Sequence, residues 1–583
     1  MNAMQRLLTE HMAIWTAADT EKKSGRGRAS GNAGSVYGIK KLRVLILELA
    51  VRGKLVPQDA NDEPASELLK RIQAEKATLV AEGKIKKDKP LASIVEDEKP
   101  FELPQGWEWA RLQDVYDVRD GTHNTPKYQE SGFPLVTSKN LYSGTLDLSD
   151  IKYISKDDHL KIKDRSGVDK GDILFAMIGS IGNPVIVDTD IEFSIKNVAL
   201  FKPYSAQLSD TSYLLKFLIR AAINLREEAA GAVQSFVSLG VIRSYLIPVP
   251  PLVEQHRIVA KVDELMALCD QLEAQHSSAA EAHEKLVSHL LGTLTQSQSA
   301  DDFRANWQRI AAHFDTLFTT EGSIDDLKQT LLQLAVLGKL VPQDPNDEPA
   351  SELLKRIQAE KAKLVAEGKI KKEKSLASIA EDEKPFDLPH GWMWIRLGLV
   401  TEKLTDGSHN PPRDSGTGVP MLSSQNVNFG YIDFENPSRY VTEEDFLAEN
   451  SRTKIESGDV LLTIVGTLGR AAVVGKDSPK FVLQRSVAVI KTGLLPRYLC
   501  LQFGSPFCIN YFEENGKGTA QKGIYLGQLA EMLLTIPPLA EQHRIVGKVD
   551  ALMTLCDQLK TRIQLANLQR QALADALVAQ VMA

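Results

Sequence analysis

The most regular hydrophobic pattern of the chain occurs twice. Residues 250–272 read PPLVEQHRIVAKVDELMALCDQL and residues 537–559 read PPLAEQHRIVGKVDALMTLCDQL, with 19 of 23 positions identical. In each copy, apolar residues recur at alternating steps of four and three, which predicts a long helix with one apolar seam. The predicted seams consist of Ile258, Val262, Leu265, Cys269 and Leu272 in the first copy and of Ile545, Val549, Leu552, Cys556 and Leu559 in the second.

Each predicted helix has a clear start and needs a partner. It begins after a Pro-Pro pair and carries Glu254 or Glu541 in its first turn, where a carboxylate suits the positive end of the helix. A single apolar seam has to pack against another helix. The most economical partner for one copy is the other copy, so we expect a pair of long antiparallel coiled-coil helices.

A longer duplication precedes each variable part of the chain. Residues 49–104 return at 334–389 with 49 of 56 positions identical, which fixes the layout of the chain as an internal repeat. Pro64 and Pro349 stand where a helix can start, and the Lys-, Glu- and Leu-rich run from 65 to 82 predicts a solvated helix. Another helix is predicted from about Ile39 to Val51. The lysine-rich run 84–90 favours an exposed turn over a DNA contact.

The two regions that follow the duplicated block differ from the helical parts. Each opens with GW(E/M)W(A/I)RL and runs for about 145 residues, with short apolar runs separated by Gly, Asp, Asn and Ser, as is typical of a small β-rich domain. They share a skeleton of motifs and little else. The aligned segments are 120–126 with 406–412 (DGTHNTP and DGSHNPP), 171–174 with 458–461 (GDIL and GDVL), 179–182 with 466–469 (GSIG and GTLG), and 231–234 with 518–521.

These patterns predict an α+β protein in which two β-rich domains are separated by long antiparallel coiled-coil helices, with a pseudo-two-fold internal repeat. The β-rich regions are called module 1 (105–249) and module 2 (390–536) below. The expected scaffold comprises a helical region 1–104, a central region 250–389 and a final helix 537–583. Two similar scaffolds with divergent modules suit a protein that reads two different things at a set separation.

Composition limits the class of protein. With 583 residues, 43% hydrophobic and 25% charged, the chain is expected to fold as a soluble protein of about four domains. Its four cysteines form no CxxC pair, so Cys269 and Cys556 are expected to be buried small apolar residues rather than redox or metal groups. No signal core or membrane-spanning run is present, which predicts a cytoplasmic protein without a membrane partner. The net charge of -7 argues against a lone, strongly basic nucleic-acid binder.

Catalytic motifs are absent or incomplete. Asn410-Pro411-Pro412 matches the start of the adenine amino-methyltransferase tetrapeptide, but Arg413 replaces the aromatic residue that would stack on a flipped base. No glycine-rich cofactor loop or Walker loop accompanies it. We therefore predict a chain without catalytic residues, cofactor or metal of its own, and without methyltransferase, nuclease or ATPase activity. His123 and His409 are expected to cap their own turns rather than to ligate a metal.

Polar loop positions in the two modules suit contact with DNA. Long Arg, Lys, Gln and Asn side chains match base edges, and a GxxG loop allows the backbone to approach a phosphate closely. For GSIG and GTLG, a simple hairpin turn is an equally good interpretation, and any single cation is more readily explained as solvated surface. The candidate DNA contacts are His123, Asn124, Lys127, Lys139, Asn183, Lys196 and Gln234 in module 1 and His409, Asn410, Arg413, Gln425, Arg470, Arg485, Gln521 and Lys522 in module 2.

Taken together, the order of the modules and the motifs PPLxEQHRIV, GD(I/V)L…GxxG and DG(T/S)HNxP resemble the specificity subunit of type I restriction-modification enzymes. The resemblance covers essentially the whole chain and fits the branch with a long N-terminal scaffold region. It implies that each module is a target recognition domain for one half of a split sequence in double-stranded DNA. It also implies two methylation subunits that use S-adenosylmethionine and two restriction subunits that use ATP and Mg²⁺.

The resemblance also accounts for the negative charge. Module 1 through residue 250 holds 16 Lys and Arg against 18 Asp and Glu, and module 2 through residue 537 holds 14 against 15. Because counterion release governs non-specific affinity, most of that affinity is expected to come from the partner subunits. Two alternatives stay open at the level of the sequence. One is a scaffold whose modules bind proteins, and the other is a self-contained methyltransferase.

Overall fold

The computed structural model describes residues 11–17, 36–142, 144–230, 236–371, 375–518 and 522–582. They form two compact units, of which unit 1 comprises Met1–Ala279 with Asn567–Ala583 and unit 2 comprises Ala280–Ala566. The chain length predicted about four domains. The number of units is smaller because, in unit 1, scaffold residues such as Leu42 and Ile258 share one buried core with module residues such as Phe201 and Leu214.

The first part of the chain contains scaffold helices and the helices and strands of module 1. Its helices are α1 Met12–Ala17, α2 Tyr37–Val51, α3 Ala65–Ala81, α4 Leu112–Val115, α5 Lys156–Ser166, α6 Thr211–Ala230, α7 Leu239–Ser244 and α8 Leu252–Thr295. Its strands are β1 Glu108–Arg111, β2 Tyr116–Asp120, β3 Phe133–Val136, β4 Leu141–Tyr142, β5 Thr145–Leu146, β6 Lys152–Ile154, β7 Ile173–Ala176, β8 Gly182–Ile186, β9 Ser194–Ile195, β10 Val198–Pro203 and β11 Leu246–Val249.

The second part follows a similar order of scaffold and module elements. Its helices are α9 Ala300–Ala312, α10 Phe314–Leu317, α11 Glu321–Val336, α12 Ala350–Ala366, α13 Glu443–Thr453, α14 Pro496–Phe503, α15 Pro506–Asn515, α16 Leu526–Glu531 and α17 Leu539–Met582. Its strands are β12 Met393–Arg396, β13 Thr401–Asp406, β14 Val419–Leu422, β15 Arg439–Val441, β16 Val460–Thr463, β17 Ala471–Val473, β18 Val482–Leu483, β19 Val487–Thr492 and β20 Leu533–Ile536.

The predicted helix starts are confirmed. Helices α3 and α12 begin directly after Pro64 and Pro349, whose backbones are extended as an N-cap requires. Helices α8 and α17 begin after the two Pro-Pro pairs and contain 44 residues each, or ~66 Å at 1.5 Å per residue. Residues 372–374, within the second copy of the lysine-rich run, lie outside the described residues.

The seam of each long helix is buried within its own unit. In unit 1, Ile258, Val262, Leu265 and Cys269 are buried, and Leu272 is partly buried, in a cluster that also contains residues of α2 and of the end of α17. In unit 2, Ile545, Val549 and Cys556 are buried, and Leu552 and Leu559 are partly buried. The second seam shares its clusters with residues of α11, of module 2 and of the end of α8. The heptad pattern thus predicted the buried face correctly but missed α2 and α11, the helices of the duplicated region, as partners.

Both modules have the same sheet topology, which is called the frame below. The central sheet of module 1 is antiparallel in the order β2-β10-β7-β8, and that of module 2 is β13-β19-β16-β17. A second sheet has the order β6-β3-β9 in module 1 and β15-β14-β18 in module 2. The mixed helix and strand composition is confirmed. All four residues of β7 and all four of β16 are buried. This burial on both faces explains why these segments lack the alternation of apolar and polar residues that marks a half-exposed strand.

The first and last strands of each module pair with each other. Glu108 lies opposite Val249 and Arg111 opposite Leu246, while Met393 lies opposite Ile536. The chain therefore enters and leaves each module side by side, and the long helix begins at this point. This arrangement brings the GW motif of the module next to the Glu of the helix.

A buried carboxylate joins each module to its scaffold. Glu254 is 1% exposed, and its two oxygens accept hydrogen bonds from Trp107 Nε1 at 3.0 Å and Gln58 Nε2 at 3.1 Å. In unit 2, Glu541 accepts the same two bonds, from Trp392 at 2.9 Å and Gln343 at 3.1 Å. Burial raises the pKa of Glu254, and the hydrogen bond from Trp107 opposes that rise.

The next residues of the same motif strengthen the junction. Arg257 forms an ion pair with Asp62 at 2.5 Å, and Arg544 forms one with Asp347 at 2.6 Å. Gln255 donates to Pro250 O at 3.0 Å. The motif EQHR is therefore a structural element that binds the duplicated block to the module, and not part of a reading surface.

We predict that Trp107→Phe destabilises the protein by about 1.5–3 kcal/mol at neutral pH, since it removes a hydrogen bond to a buried charged group. The loss of stability should become smaller as the pH is lowered. The folded-state pKa of Glu254 already lies above its ordinary 4.5, and losing a donor raises it further. A carboxyl group whose folded-state pKa is raised contributes stability below its unfolded-state pKa and loses that contribution as the pH rises. The stability difference between Trp107→Phe and the unmodified protein therefore decreases as the pH is lowered from 7 to about 4.5. Urea unfolding at several pH values measures this.

Trp109→Phe is the matched control because the buried Nε1 of Trp109 has no hydrogen-bond partner. It removes the same atoms two positions farther along the chain, in β1, without removing a hydrogen bond. Its stability loss should not depend on pH over this range. Equal, pH-independent losses for the two variants would contradict the role assigned to the Trp107–Glu254 bond.

Candidate nucleic-acid interface

Loops that are far apart in the sequence meet at one end of module 1. Strand β2 ends at Asp120, β3 at Val136 and β9 at Ile195, and the backbone links the chain segments that follow them. Thr122 N donates to Ile195 O at 3.0 Å, and Lys196 N donates to Val136 O at 2.9 Å. The segment after β7 joins them, since Met177 N donates to Asn197 O at 3.3 Å. Candidates His123, Lys139 and Lys196 therefore lie at the same end of the module.

Module 2 brings the corresponding loops together by the same bonds. Ser408 N donates to Leu483 O at 2.7 Å, and Gln484 N donates to Leu422 O at 2.8 Å. Arg485 N returns to Ser408 O at 2.9 Å. The loops that carry His409, Gln425 and Arg485 are thus held at one end of the frame, as in module 1.

A glycine allows the close crossing of these segments. A Cβ on Gly121 would lie 2.2 Å from Ile195 O, and one on Gly407 would lie 2.2 Å from Leu483 O. No side chain fits at such distances from a backbone oxygen. The Asp-Gly pair of the shared DG(T/S)H motif is therefore required by the frame itself.

The Asp of the same motif binds the His three residues later. Asp120 accepts from His123 Nε2 at 2.9 Å, and Asp406 accepts from His409 Nε2 at 2.8 Å. This confirms that the two histidines cap their own turns. Both imidazoles remain about half exposed, at 53% and 55%, so each is fixed by its Asp and still presents an edge to solvent.

Two arginines near the same Asp residues were not among the predicted contacts. Arg165, in the last turn of α5, forms an ion pair with Asp120, and Arg452, in the last turn of α13, pairs with Asp406 at 3.7 Å. Their side chains are 54% and 44% exposed. The sequence contains a weak indication of these contacts. Each Arg follows its Asp by 45 or 46 residues and lies in the last turn of a short polar helix.

The GxxG segments connect neighbouring strands, β7 to β8 and β16 to β17, as the hairpin-turn interpretation predicts. The candidates beside them are held by neighbours. Asn183, at φ 46°, accepts from Arg226 Nη2 at 3.1 Å, while Arg470 Nη1 donates to Asn428 Oδ1 at 3.3 Å. Lys522 Nζ donates to Glu513 O at 3.4 Å. These side chains line the edge of the converging loops.

The remaining candidates differ in how far they are constrained. Lys196 donates to Thr125 Oγ1 and is half-buried. Gln234 and Gln521 lie outside the described residues. Lys127 and Arg413 lie farther along the loops that leave β2 and β13. The exposed candidates are Asn124, Lys127, Lys139, Asn410, Arg413, Gln425 and Arg485.

No group of three or more His, Cys, Asp or Glu side chains among the described residues could hold a metal ion. Across the same residues, no helix has both the length and the apolar content needed to cross a membrane.

Comparison with known proteins defines the class. The family described as "Type I restriction modification DNA specificity domain" matches residues 104–282 and 402–568, more than half of the chain. The chain is 41% identical over 600 residues to the type I restriction enzyme EcoAI specificity subunit of Escherichia coli, with 99% of each chain covered. It is 40% identical over 598 residues to the EcoEI specificity subunit of Escherichia coli, again with 99% of each covered.

Among solved structures, the HsdS subunit from Thermoanaerobacter tengcongensis is similar at 20% identity, with 83% of this chain and 98% of that chain covered and a TM-score of 0.38. The sequence relationships carry the assignment. The chain belongs to the family of type I restriction enzyme specificity subunits.

We predict that Gly407→Ala destabilises the protein by about 1–3 kcal/mol, the cost of forcing an extra carbon into a packed site. The added Cβ would collide with Leu483 O, which belongs to the frame and cannot move without shifting β18. Thermal unfolding followed by circular dichroism measures the effect.

Gly527→Ala is the control within the same unit. A Cβ there meets nothing within 4 Å, and the residue lies in α16, where Ala is favoured over Gly by up to about 1 kcal/mol. We expect this variant to be as stable as the unmodified protein or more stable. Equal stability of both variants would show that the close approach at Gly407 is not required.

Proposed function

We propose that this chain is the DNA-reading subunit of a type I restriction-modification complex, with each module reading one half of a bipartite target. The observation that carries the proposal is the convergence of polar and basic loops at one end of each module on a common frame. The loops carry Lys139 and Lys196 in module 1 and Gln425 and Arg485 in module 2. Different side chains at equivalent positions select different base edges, because each base pair presents its own donor and acceptor pattern.

The fixed His and Arg pairs support the same role. Asp120 and Asp406 hold His123 and His409 in place before any ligand binds, together with Arg165 and Arg452. Side chains that are already oriented lose less conformational freedom on binding DNA. These groups are suited to contact phosphates and to set the register of the module on the duplex.

The chemistry of the complex is assigned to partner subunits. We propose that the scaffold docks two methylation subunits, which use S-adenosylmethionine, and two restriction subunits, which use ATP and Mg²⁺. The net charge of -7 supports a division of labour, since a chain with that charge gains little non-specific affinity for DNA alone. This subunit then supplies specificity, and its partners supply most of the affinity and the reaction.

The long helices are proposed to set the distance between the two half-sites. In unit 1, the end of α17 shares a cluster with the first half of α8, and in unit 2 the end of α8 shares one with residues 552–563 of α17. This reciprocal sharing supports an antiparallel coiled-coil arrangement of the two helices. Each module is joined to the start of its own helix by the Trp and Glu pair, so helix length controls module spacing.

Exchange of one module is the experiment that tests the proposed function. Replacement of residues 105–249 by the first module of another family member should change one half of the recognised sequence and leave the other half intact. The physical reason is that β1 and β11 pair with each other and both lie within the exchanged residues, so the module is transferred together with both strands of its boundary. Mapping of modified adenines in cells that express the complete system reads out both halves. A change in both halves together would contradict independent reading.

An insertion tests the spacing role of the helices. About one helical turn added near Ser277 lengthens the helix by ~5.4 Å, or one to two base pairs at ~3.4 Å each. The unread spacer should lengthen by that amount, and both half-site sequences should stay the same because no module residue is altered. The same mapping measures spacer length. An unchanged spacer in an active complex would exclude this role for the helix.

A further inference from the structure

A short hairpin occupies the same place in both modules. In module 1 it is formed by β4 and β5, directly after the turn that carries Lys139. In module 2, Val427 and Ile432 pair across an equivalent hairpin, directly after the turn that carries Gln425. Gly144 and Gly430 have positive φ, at 80° and 86°, and allow the reversal at the two tips.

The base of each hairpin is held by the same set of bonds. Asn140 Oδ1 accepts from Thr137 N at 2.9 Å, and Asn426 Oδ1 accepts from Ser423 N at 2.9 Å. The backbone oxygens of the two Asn residues accept from Asp147 N at 2.9 Å and from Asp433 N at 2.8 Å. Because both bases are closed in the same way, the two hairpins differ mainly at their tips.

The tips present large aromatic side chains to solvent. Tyr142 is 72% exposed in module 1, and Phe429 and Tyr431 are 55% and 61% exposed in module 2. Phe429 and Tyr431 are two residues apart, and neighbouring exposed aromatic groups of this kind form an apolar patch that can serve as an interaction surface. The tip of module 2 is also fixed from behind, since Gly430 N donates to Ala471 O at 2.9 Å.

Guanidinium groups flank the aromatic pair of module 2. Arg470 donates to Asn428 within the hairpin at 3.3 Å. Arg497 Nη1 lies 3.0 Å from where a Cβ of Gly430 would be, and Arg497 is oriented by Asp550 at 2.6 Å. An aromatic face beside cations is the combination that stacks on a base while it contacts the adjoining phosphates.

The hairpin of module 2 is continuous with the converging loops described above. Ser424 N, at the start of its turn, donates to Ser486 Oγ at 3.0 Å, next to Arg485. Aromatic residues and Arg also occur at protein interfaces, so composition alone does not select the ligand. Continuity with the reading loops favours DNA.

We propose that the hairpin tips stack on bases of duplex DNA, with Phe429 and Tyr431 serving the half-site of module 2 and Tyr142 that of module 1. Aromatic side chains of DNA-binding proteins insert at base steps and partly unstack them, which makes binding depend on the step that is opened. The inference rests on the proposed function of the modules. The inference adds aromatic residues to those that determine specificity. They act by stacking and not by hydrogen bonds to base edges, as Arg or Gln would.

The test uses the complete complex and two duplexes, one with the mapped target and one with the second half-site scrambled. Tyr431→Ala should weaken binding to the target about fivefold to 150-fold, the range expected for loss of one stacked base. Binding to the scrambled duplex should change by no more than about twofold, since it depends on phosphates. Tyr431→Phe retains the aromatic face and should bind like the unmodified protein. Tyr142→Ala should act only on the first half-site.

Leu447→Ala is the matched control, because Leu447 is 64% exposed in α13 of the same module and outside the hairpin. It should bind both duplexes normally. If Tyr431→Ala perturbs the circular dichroism spectrum, Tyr431→Leu replaces it, since leucine keeps apolar volume without a face for stacking. Reduced target binding by Tyr431→Leu supports the proposal.

Three outcomes overturn the inference, and they are distinguishable. Target binding by Tyr431→Ala and Tyr431→Leu equal to that of the unmodified complex excludes stacking and leaves the proposed function intact. Loss of partner subunits from the variant, seen by light scattering, identifies the tip as a protein-docking surface instead. Failure of the unmodified complex to distinguish the two duplexes refutes the proposed function, and the inference falls with it.

Discussion

The rest of the structure depends on a carboxylate buried at the start of each long helix. Glu254 and Glu541 are held away from water by the indole of a module and the amide of a duplicated scaffold block. An unpaired charge at such a site is costly, so all three parts must come together for the ionised group to be tolerated. The same contact therefore joins module, helix and scaffold, and it recurs wherever a module leaves its scaffold.

This junction explains how modules can diverge while the scaffold stays nearly constant. The strands that enter and leave a module are paired, and the polar contacts of the junction use residues outside the variable loops. Changes in the variable loops of module 1 leave in place the partners of Glu254 and Arg257, which are Trp107, Gln58 and Asp62. The duplicated block and the long helices can then present two different modules in the same way.

The converging end of each module combines a rigid backbone with variable side chains. Gly121 and Gly407 permit the crossing of segments, and the backbone bonds around them are the same in both modules. Around that constant backbone, Lys139 is replaced by Gln425 and Asn183 by Arg470. Such an arrangement suits selective reading, because the positions of the side chains are fixed and their chemistry is free to change.

At the converging end of each module, the local arrangement of charged groups matters more than the net charge of the module. Neither module carries an excess of basic residues, yet His123, Arg165, His409 and Arg452 are gathered around two Asp residues at the converging ends. Each Asp orients its His and Arg partners and offsets part of the charge of the Arg. Such a surface gains little from bulk electrostatics, and this fits a subunit that contributes selectivity within a larger assembly.

The sequence by itself determined the two long helices and the scaffold helices after Pro64 and Pro349, their starts, the buried seams, the two repeats and the motif skeleton of the modules. These features depend on local periodicity, on proline and on duplication, all of which can be read within a short window. The same is true of the turn histidines, because His123 and its Asp are three residues apart.

Only the tertiary structure decided what covers the seams and which loops meet. The helices α2 and α11 cover the seams, yet their own apolar residues do not specify a partner. Arg165 reaches Asp120 across 45 residues, and the hairpin tip of module 2 acquires its flanking cations, Arg470 and Arg497, from separate parts of the chain. Such contacts depend on the order of strands in the central sheets, since strand pairing brings distant segments together and leaves no periodic signal in the sequence.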